Sequence, residues 1–176
     1  LSIETVDSKV LELAQNDIVW HSVADYFPDN ADGTPTRGIN LVEFAGNDPV
    51  ALQQQVDAFI NHLDQDQSVT RLGYTVATGA QQVNTVYGMR KRAVGLLGNV
   101  QGEVRPQPFV EDTAVPPENL ADFIAEFRAL LDEAELSYGM FGHVDAGVLH
   151  VRPALDMKDP EQAAKIRPIT DQVVEL

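Results

Sequence analysis

The segment from Gly142 to Arg152 restricts the fold more than any other part of this 176-residue chain. It reads Gly-His-Val-Asp-Ala-Gly-Val-Leu-His-Val-Arg, so two short apolar stretches flank Ala146-Gly147. Two such stretches around a two-residue turn predict an antiparallel β-hairpin. In that register His143 lies directly opposite His150. Directly opposed residues share a sheet face, with Cβ atoms roughly 4.5–5.5 Å apart.

The predicted hairpin makes His143 and His150 candidate ligands of one divalent metal ion. Imidazole nitrogens bind zinc at about 2 Å, and a zinc ion with one open position usually takes three protein ligands, so two histidines are half a site. Asp145 shares the face of His143, but it lies at the turn, where Asp is common. The alternative is that both histidines only pack or hydrogen-bond within the strand pair.

The rest of the chain alternates segments typical of strands and helices. An apolar stripe and an Asp48-Pro49 start predict one helix, and Pro116-Pro117-Glu118 starts the most regular one. Residues 28–38 are predicted to be a loop, and Pro168 is predicted to interrupt the last helix. The predicted helices cover 3–15, a stretch from Pro49, 80–97, a stretch from Pro116 and a stretch from Pro160; the predicted strands are Ile39–Ala45, Thr70–Ala77, Pro108–Thr113, Tyr138–Val144 and Val148–Arg152. This order predicts an α+β fold, with helices on one face of a sheet.

The chain is strongly acidic, with 27 acidic and 12 basic residues and a formal charge of −15. This charge argues against binding to nucleic acid or to an anionic membrane. Residues 71–110 are the exception, because they hold five basic residues and one acidic residue. Such a basic island favours a small anionic ligand, and the alternative is that its charges only solvate a helix face.

Arg90 stands out within the predicted helix 80–97. It falls on the apolar stripe formed by Val83, Tyr87, Val94 and Leu97. A guanidinium that faces inward needs an anionic partner, because an unpaired buried charge costs several kcal/mol. That partner is either an internal carboxylate or the carboxylate of a substrate bound in bidentate fashion.

The chain has no cysteine, so it contains neither a disulfide nor a thiolate-bound metal or iron–sulfur cluster. No apolar run approaches the ~20 residues that span a bilayer, which predicts no transmembrane segment. The first residues lack a signal peptide and an initiator Met, so we expect a fragment of a cytoplasmic protein.

At the hairpin the sequence resembles the C-terminal domain of FAD-linked oxidases, whose hallmark is Gly-His-x-Gly-Asp-Gly-Asn-Leu-His. The Gly-His start, Gly147, Leu149 and His150 match, whereas the inner Gly-Asp and the Asn do not. Three further segments resemble the family in the same order: Ile39–Gly46, Tyr87–Arg90 and Asp112–Pro116. The residues of these segments are similar to those of large bacterial members of the D-2-hydroxyglutarate dehydrogenase type, which fuse a flavin domain, this domain and an iron–sulfur region.

This resemblance implies a ferredoxin-like domain over residues 38–176, single or duplicated, that caps the flavin, preceded by a helix and loop over 1–37. It implies that His143 and His150 bind a divalent metal, commonly zinc, and that Arg90 holds the substrate carboxylate. Arg152 stands where the family often has Asn and is a further candidate for anion binding, while Val110 stands where the family has a carboxylate-binding Lys. The family's third metal ligand lies in a Glu-His-Gly segment farther downstream.

The function that the resemblance implies is oxidation of a D-2-hydroxy acid, such as D-2-hydroxyglutarate or D-lactate, to the 2-oxo acid. The hydride would pass to FAD held by a flavin domain of the same polypeptide. The alternative is a non-catalytic ferredoxin-like module that binds a small anion or a partner protein.

We expect the isolated chain to be catalytically inert and unable to bind FAD tightly, because it contains no recognisable flavin-binding segment. A flavin titration of the purified chain, followed by flavin fluorescence, should show no stoichiometric binding. Saturation at one FAD per chain would contradict this prediction.

Overall fold

The computed structural model describes residues 1–27, 33, 36–98 and 102–176. Thirteen helices and strands follow one another in these residues: β1 (Ser2–Asp7), α1 (Ser8–Gln15), α2 (Trp20–Val23), β2 (Gly38–Glu43), α3 (Pro49–Gln65), α4 (Gly79–Leu97), β3 (Val104–Pro106), β4 (Thr113–Ala114), α5 (Leu120–Glu133), β5 (Tyr138–His143), β6 (Val148–Asp156), α6 (Pro160–Ala164) and α7 (Ile166–Glu175). Within the described ranges, every helix is too short or too polar to cross a bilayer.

One antiparallel sheet organises the molecule. Its strand order is β2-β1-β5-β6-β3, and the short β4 also pairs with β6. The interior strand β1 places Glu4 opposite His143 and Val6 opposite Phe141 on β5. On the other side of β5, Phe141 lies opposite His150 of β6. The first strand of the chain therefore borders the strand that carries the first candidate histidine.

Helices cover both faces of this sheet. Buried residues alternate with half-buried ones along β6, and its inward residues, such as Leu149 and Val151, pack with α5 and α7 in one core. Val6 and Phe141 belong to a second core with α1 and α4. The expected α+β class and antiparallel sheet are confirmed. Helices on a single face were expected. Successive strand residues point to opposite faces, and here both faces carry apolar side chains, so helices pack on each of them.

Several predicted elements are confirmed. Asp48 caps α3 by accepting hydrogen bonds from the Val50 and Ala51 amides at 2.9 and 3.3 Å. The helices α4 and α5 and the strands β2, β5 and β6 also occupy the predicted segments, although α5 begins at Leu120 rather than at Pro116, β2 ends at Glu43 and β6 extends to Asp156. The last helix is interrupted as expected, because Pro168 has no amide hydrogen to donate to the Ala164 carbonyl, and α6 ends at Ala164.

The predicted helix over residues 3–15 is wrong in its first half. Residues 2–7 form β1, and a helix begins only at Ser8. Asp7 produces the change, because its Oδ1 caps α1 at the Val10 amide (3.0 Å) and its Oδ2 accepts from the Met140 amide (3.0 Å). Residues 1–37 are also not separate from the domain as the division at residue 38 supposed, since β1 pairs on both sides within the sheet.

Two predicted strands are absent where they were expected. Residues 70–77, all described by the structure, form no strand, and Gly73 interrupts them with φ +145°. Residues 108–112 turn instead of pairing, with Asp112 at φ 63°, and only β3 and β4 on either side reach β6. The predicted loop at 28–38 lies mostly outside the described residues, and its last residue, Gly38, begins β2.

Gly147 closes the β5–β6 connection and provides a test of it. Its φ is +69°, and a Cβ at this position would collide with the Val115 carbonyl oxygen. We expect Gly147→Ala to lower the free energy of unfolding by at least about 2 kcal/mol, because a left-handed backbone and a clash act together. Denaturant unfolding measures the change.

Gly88→Ala is the matched control, because Gly88 lies in α4 and a Cβ added there would meet nothing within 4 Å. That substitution should stabilise the protein by about 0.5–1 kcal/mol. Equal unfolding free energies for Gly147→Ala and the wild type would contradict the turn geometry.

Candidate functional site

The two histidines lie on the same sheet face, although the predicted register is wrong. His143 is opposite Val148, and His150 is opposite Phe141, because the connection contains Val144–Gly147 rather than two residues. The register differs by two residues, and side chains alternate with a period of two, so the face is preserved. The imidazole centroids of His143 and His150 are 5.3 Å apart, with the rings nearly perpendicular at 89°.

His143 is held from the neighbouring strand. Its Nδ1 lies 2.7 Å from Glu4 Oε1, and Glu4 is its direct partner across the β1–β5 ladder. The His143 side chain is 42% exposed, whereas that of Glu4 is only 13% exposed. The largely covered carboxylate therefore holds one ring nitrogen while much of the imidazole remains accessible.

His150 lies deeper and has acidic neighbours. Its ring stacks on Phe141 with centroids 4.9 Å apart. Its Nδ1 is 2.7 Å from Asp112 Oδ1 and 3.7 Å from Glu111 Oε1. Yet this buried nitrogen makes no hydrogen bond of acceptable geometry within the described part of the chain. Ligand atoms of Glu111, Asp112 and His150 all lie within 4.8 Å of one another, which is close enough to surround one metal ion.

Arg90 faces inward from α4, as its place on the apolar stripe predicts. Its Nη2 donates to Glu4 Oε2 at 2.5 Å, and its guanidinium lies 5.6 Å from the Phe141 ring centroid. Its buried Nε has no hydrogen-bond partner among the described residues. The internal salt bridge is therefore present, and one donor is left over. Binding of a substrate carboxylate by Arg90 stays a prediction.

Arg152 also lies beside Phe141 and has a glutamate partner. Its Nε and Nη2 donate to the two carboxylate oxygens of Glu111 at 2.9 and 2.8 Å. Its guanidinium lies 5.8 Å from the Phe141 ring centroid. This bidentate pair was not expected from the sequence, and a role of Arg152 in anion binding stays a prediction.

The site thus contains two similar units, each with one histidine, one glutamate and one arginine. Glu4 contacts His143 and Arg90, and Glu111 lies beside His150 and Arg152. Neither glutamate was a sequence candidate. Glu4 lay in a segment predicted to be helical, whereas Glu111 directly precedes the Asp-x-x-x-Pro segment, which was a signal that could have identified it.

Comparison with known proteins identifies the family of the chain. Residues 1–176 match the family described as FAD linked oxidases, C-terminal domain. The chain belongs to this family. It is 71% identical over its whole length to a D-2-hydroxyglutarate dehydrogenase of Pseudomonas putida and 56% identical to one of Escherichia coli. It covers 17% and 18% of those two proteins, so this FAD-linked oxidase C-terminal domain spans about a sixth of their length.

The Glu111–Arg152 pair in this domain gives a stability prediction. Their side chains are 15% and 25% exposed, so Glu111→Ala would leave a largely covered guanidinium without its partner. We expect the free energy of unfolding to fall by about 1–3 kcal/mol, as measured by denaturant unfolding.

Asp171→Ala is the control, because Asp171 pairs with Arg167 at 2.8 Å on the surface with both side chains more than half exposed. Its effect should stay below about 0.5 kcal/mol. An effect of Glu111→Ala no larger than that of the control would mean that the pair does not stabilise the site.

Proposed function

We propose that this domain forms part of the substrate site of an FAD-dependent enzyme that oxidises a D-2-hydroxy acid to the 2-oxo acid. D-2-hydroxyglutarate is the substrate we favour, since the relatives are named D-2-hydroxyglutarate dehydrogenases, and D-lactate is the second candidate. The observation that carries the proposal is the pair of imidazoles 5.3 Å apart on one sheet face, with an arginine beside each.

The residues present fit a divalent cation, and we propose zinc. A carboxylate accepts hydrogen bonds, so Glu4 makes His143 Nδ1 the protonated nitrogen and leaves the lone pair on Nε2. His150 Nδ1 is buried, and its approach to Asp112 Oδ1 at 2.7 Å does not have hydrogen-bond geometry, which is unfavourable unless the nitrogen has another partner. His143 and His150 would hold the cation, and oxygens of Asp112 and Glu111 lie close enough to a ring nitrogen of His150 to share a cation with it.

Electrostatics supports the same proposal. Glu4 and Glu111 each balance one arginine, and Asp112 adds a negative charge beside His150. A 2-hydroxy acid is an anion and would meet little net positive charge from these residues alone. When bound, a divalent cation supplies that charge and, as a Lewis acid, lowers the pKa of the substrate hydroxyl.

The side chains of this domain would bind and orient the substrate. Glu4 binds only Nη2 of Arg90, so the guanidinium keeps further N–H donors for a carboxylate oxygen of the substrate. Arg152 is held by Glu111 and lies on the same face. The Phe141 ring centroid lies 5.6 Å from the Arg90 guanidinium and 5.8 Å from that of Arg152, so one aromatic ring packs against both.

The redox chemistry belongs to FAD, which would lie in a flavin domain of the same polypeptide outside this chain. An iron–sulfur region elsewhere in the parent protein is part of the same proposal, since this chain has no cysteine that could ligate a cluster. We also propose a cytoplasmic location, with which the absence of cysteine in this chain is compatible.

The test replaces the histidines in the full-length parent protein. His143→Ala and His150→Ala should each lower kcat/KM for D-2-hydroxyglutarate at least about 100-fold, because a lost ligand removes several kcal/mol of transition-state stabilisation. The assay uses an artificial electron acceptor, and metal analysis should show a parallel loss of the bound cation. Comparison of D-2-hydroxyglutarate with D-lactate decides between the two substrates.

His62→Ala is the matched control, since His62 is exposed on α3 far along the chain from the hairpin. It should leave both kcat/KM and metal content unchanged. Full activity in the double variant His143→Ala with His150→Ala would overturn the proposed function.

A further inference from the structure

Glu4 lies where three elements of the site meet. It belongs to β1, its Oε1 contacts Nδ1 of His143 on β5 at 2.7 Å, and its Oε2 accepts from Nη2 of Arg90 on α4 at 2.5 Å. One carboxylate thus uses a separate oxygen for each neighbour. Its side chain is 13% exposed, so solvent competes little with either contact.

We propose that Glu4 is a positioning residue that sets the tautomer of His143 and the orientation of Arg90 together. This inference rests on the proposed function, because it assigns His143 to a metal ion and Arg90 to a substrate carboxylate. A histidine ligand whose other ring nitrogen donates to a carboxylate is oriented and made more basic by that bond. Glu4 supplies such a carboxylate from β1, a strand on which we place no metal ligand.

The backbone holds Glu4 in place for this role. Glu4 is directly opposite His143 in the β1–β5 ladder, and the adjacent Ile3 amide donates to Asp145 Oδ1 at 3.0 Å. The strand therefore contacts the histidine and the turn that follows it. Because β1 is hydrogen-bonded to β5 and also to Asp145 in the turn, the Glu4 carboxylate has little freedom to move away from His143.

The contact with Arg90 has a different consequence. Glu4 binds only Nη2, so the buried Nε keeps its hydrogen without a partner in the described part of the chain. Phe141 limits the guanidinium on one side at 5.6 Å from its centroid. Glu4 therefore restrains Arg90 through Nη2 and uses only one of its donors, which links metal binding and substrate binding through one side chain.

A neighbouring glutamate provides a matched control. Glu43 on β2 accepts from the Tyr87 hydroxyl of α4 at 3.2 Å, one helical turn before Arg90. It makes the same kind of contact between a strand and α4, but no contact with a histidine is found for it among the described residues. Glu43→Gln removes a carboxylate charge there without touching the proposed metal ligands.

The experiment uses the full-length enzyme after removal of bound metal, titrated with Zn²⁺, and the loaded enzyme assayed with D-2-hydroxyglutarate. We expect Glu4→Ala to raise the Kd for Zn²⁺ by about 10–100-fold, the range for loss of a carboxylate that orients a ligand. Glu4→Gln keeps an oxygen acceptor for Nδ1–H, so its Kd should lie between those of the wild type and Glu4→Ala. Both variants should raise KM.

Arg90→Met separates the two effects of Glu4. It should raise KM about as much as Glu4→Ala does and leave the Kd for Zn²⁺ within about threefold of the wild type, whereas Glu43→Gln should change neither. The melting temperature of each variant reports stability separately. Glu4→Gln preserves the size of the side chain and remains informative if Glu4→Ala does not fold.

The inference would be overturned if the folded variants Glu4→Gln and Glu4→Ala kept the wild-type Kd and KM. If Glu4→Ala does not fold, the same result in Glu4→Gln alone would overturn it. A rise in KM with unchanged Zn²⁺ affinity would also overturn it, because Glu4 would then act on Arg90 only. The proposed function has its own control here: His143→Ala and His150→Ala must abolish Zn²⁺ binding. Retained binding in those two variants overturns the proposed function, whereas its loss there with unaffected Glu4 variants overturns only the role of Glu4.

Discussion

The antiparallel pairing of β1 with β5 is the constraint on which the candidate site depends. This pairing places Glu4 opposite His143 and Val6 opposite Phe141, so the same ladder contributes both to the site and to the core beneath it. Asp7 strengthens the junction because it caps α1 and accepts from the Met140 amide. Burial raises the pKa of Asp7 in spite of these bonds, so this junction keeps a carboxyl group in a poorly solvated position.

Phe141 connects the two halves of the site. His150 stacks on its ring, and the guanidinium groups of Arg90 and Arg152 lie 5.6 and 5.8 Å from its centroid. Each arginine also holds a glutamate. The Phe141 ring therefore contacts one histidine and two arginines, and each of those arginines is balanced by a glutamate.

Local sequence patterns predicted some of these features and missed others for a definable reason. The histidines share a face in spite of the wrong register, because an error of two residues does not change the side of the sheet. The inward position of Arg90 followed from helical periodicity alone. In contrast, residues 3–7 looked helical next to the true helix α1, and only pairing with β2 and β5 makes them a strand.

By itself, the sequence determined the hairpin, the helix start at Asp48, the face shared by His143 and His150, and the family resemblance. These features depend on residues within a few positions of one another, where periodicity and turn chemistry act directly. Tertiary structure alone decided that Glu4 joins His143 to Arg90, since these residues are 139 and 86 positions from it in the chain. Contacts over such separations follow from strand order and helix packing, and no local pattern encodes them.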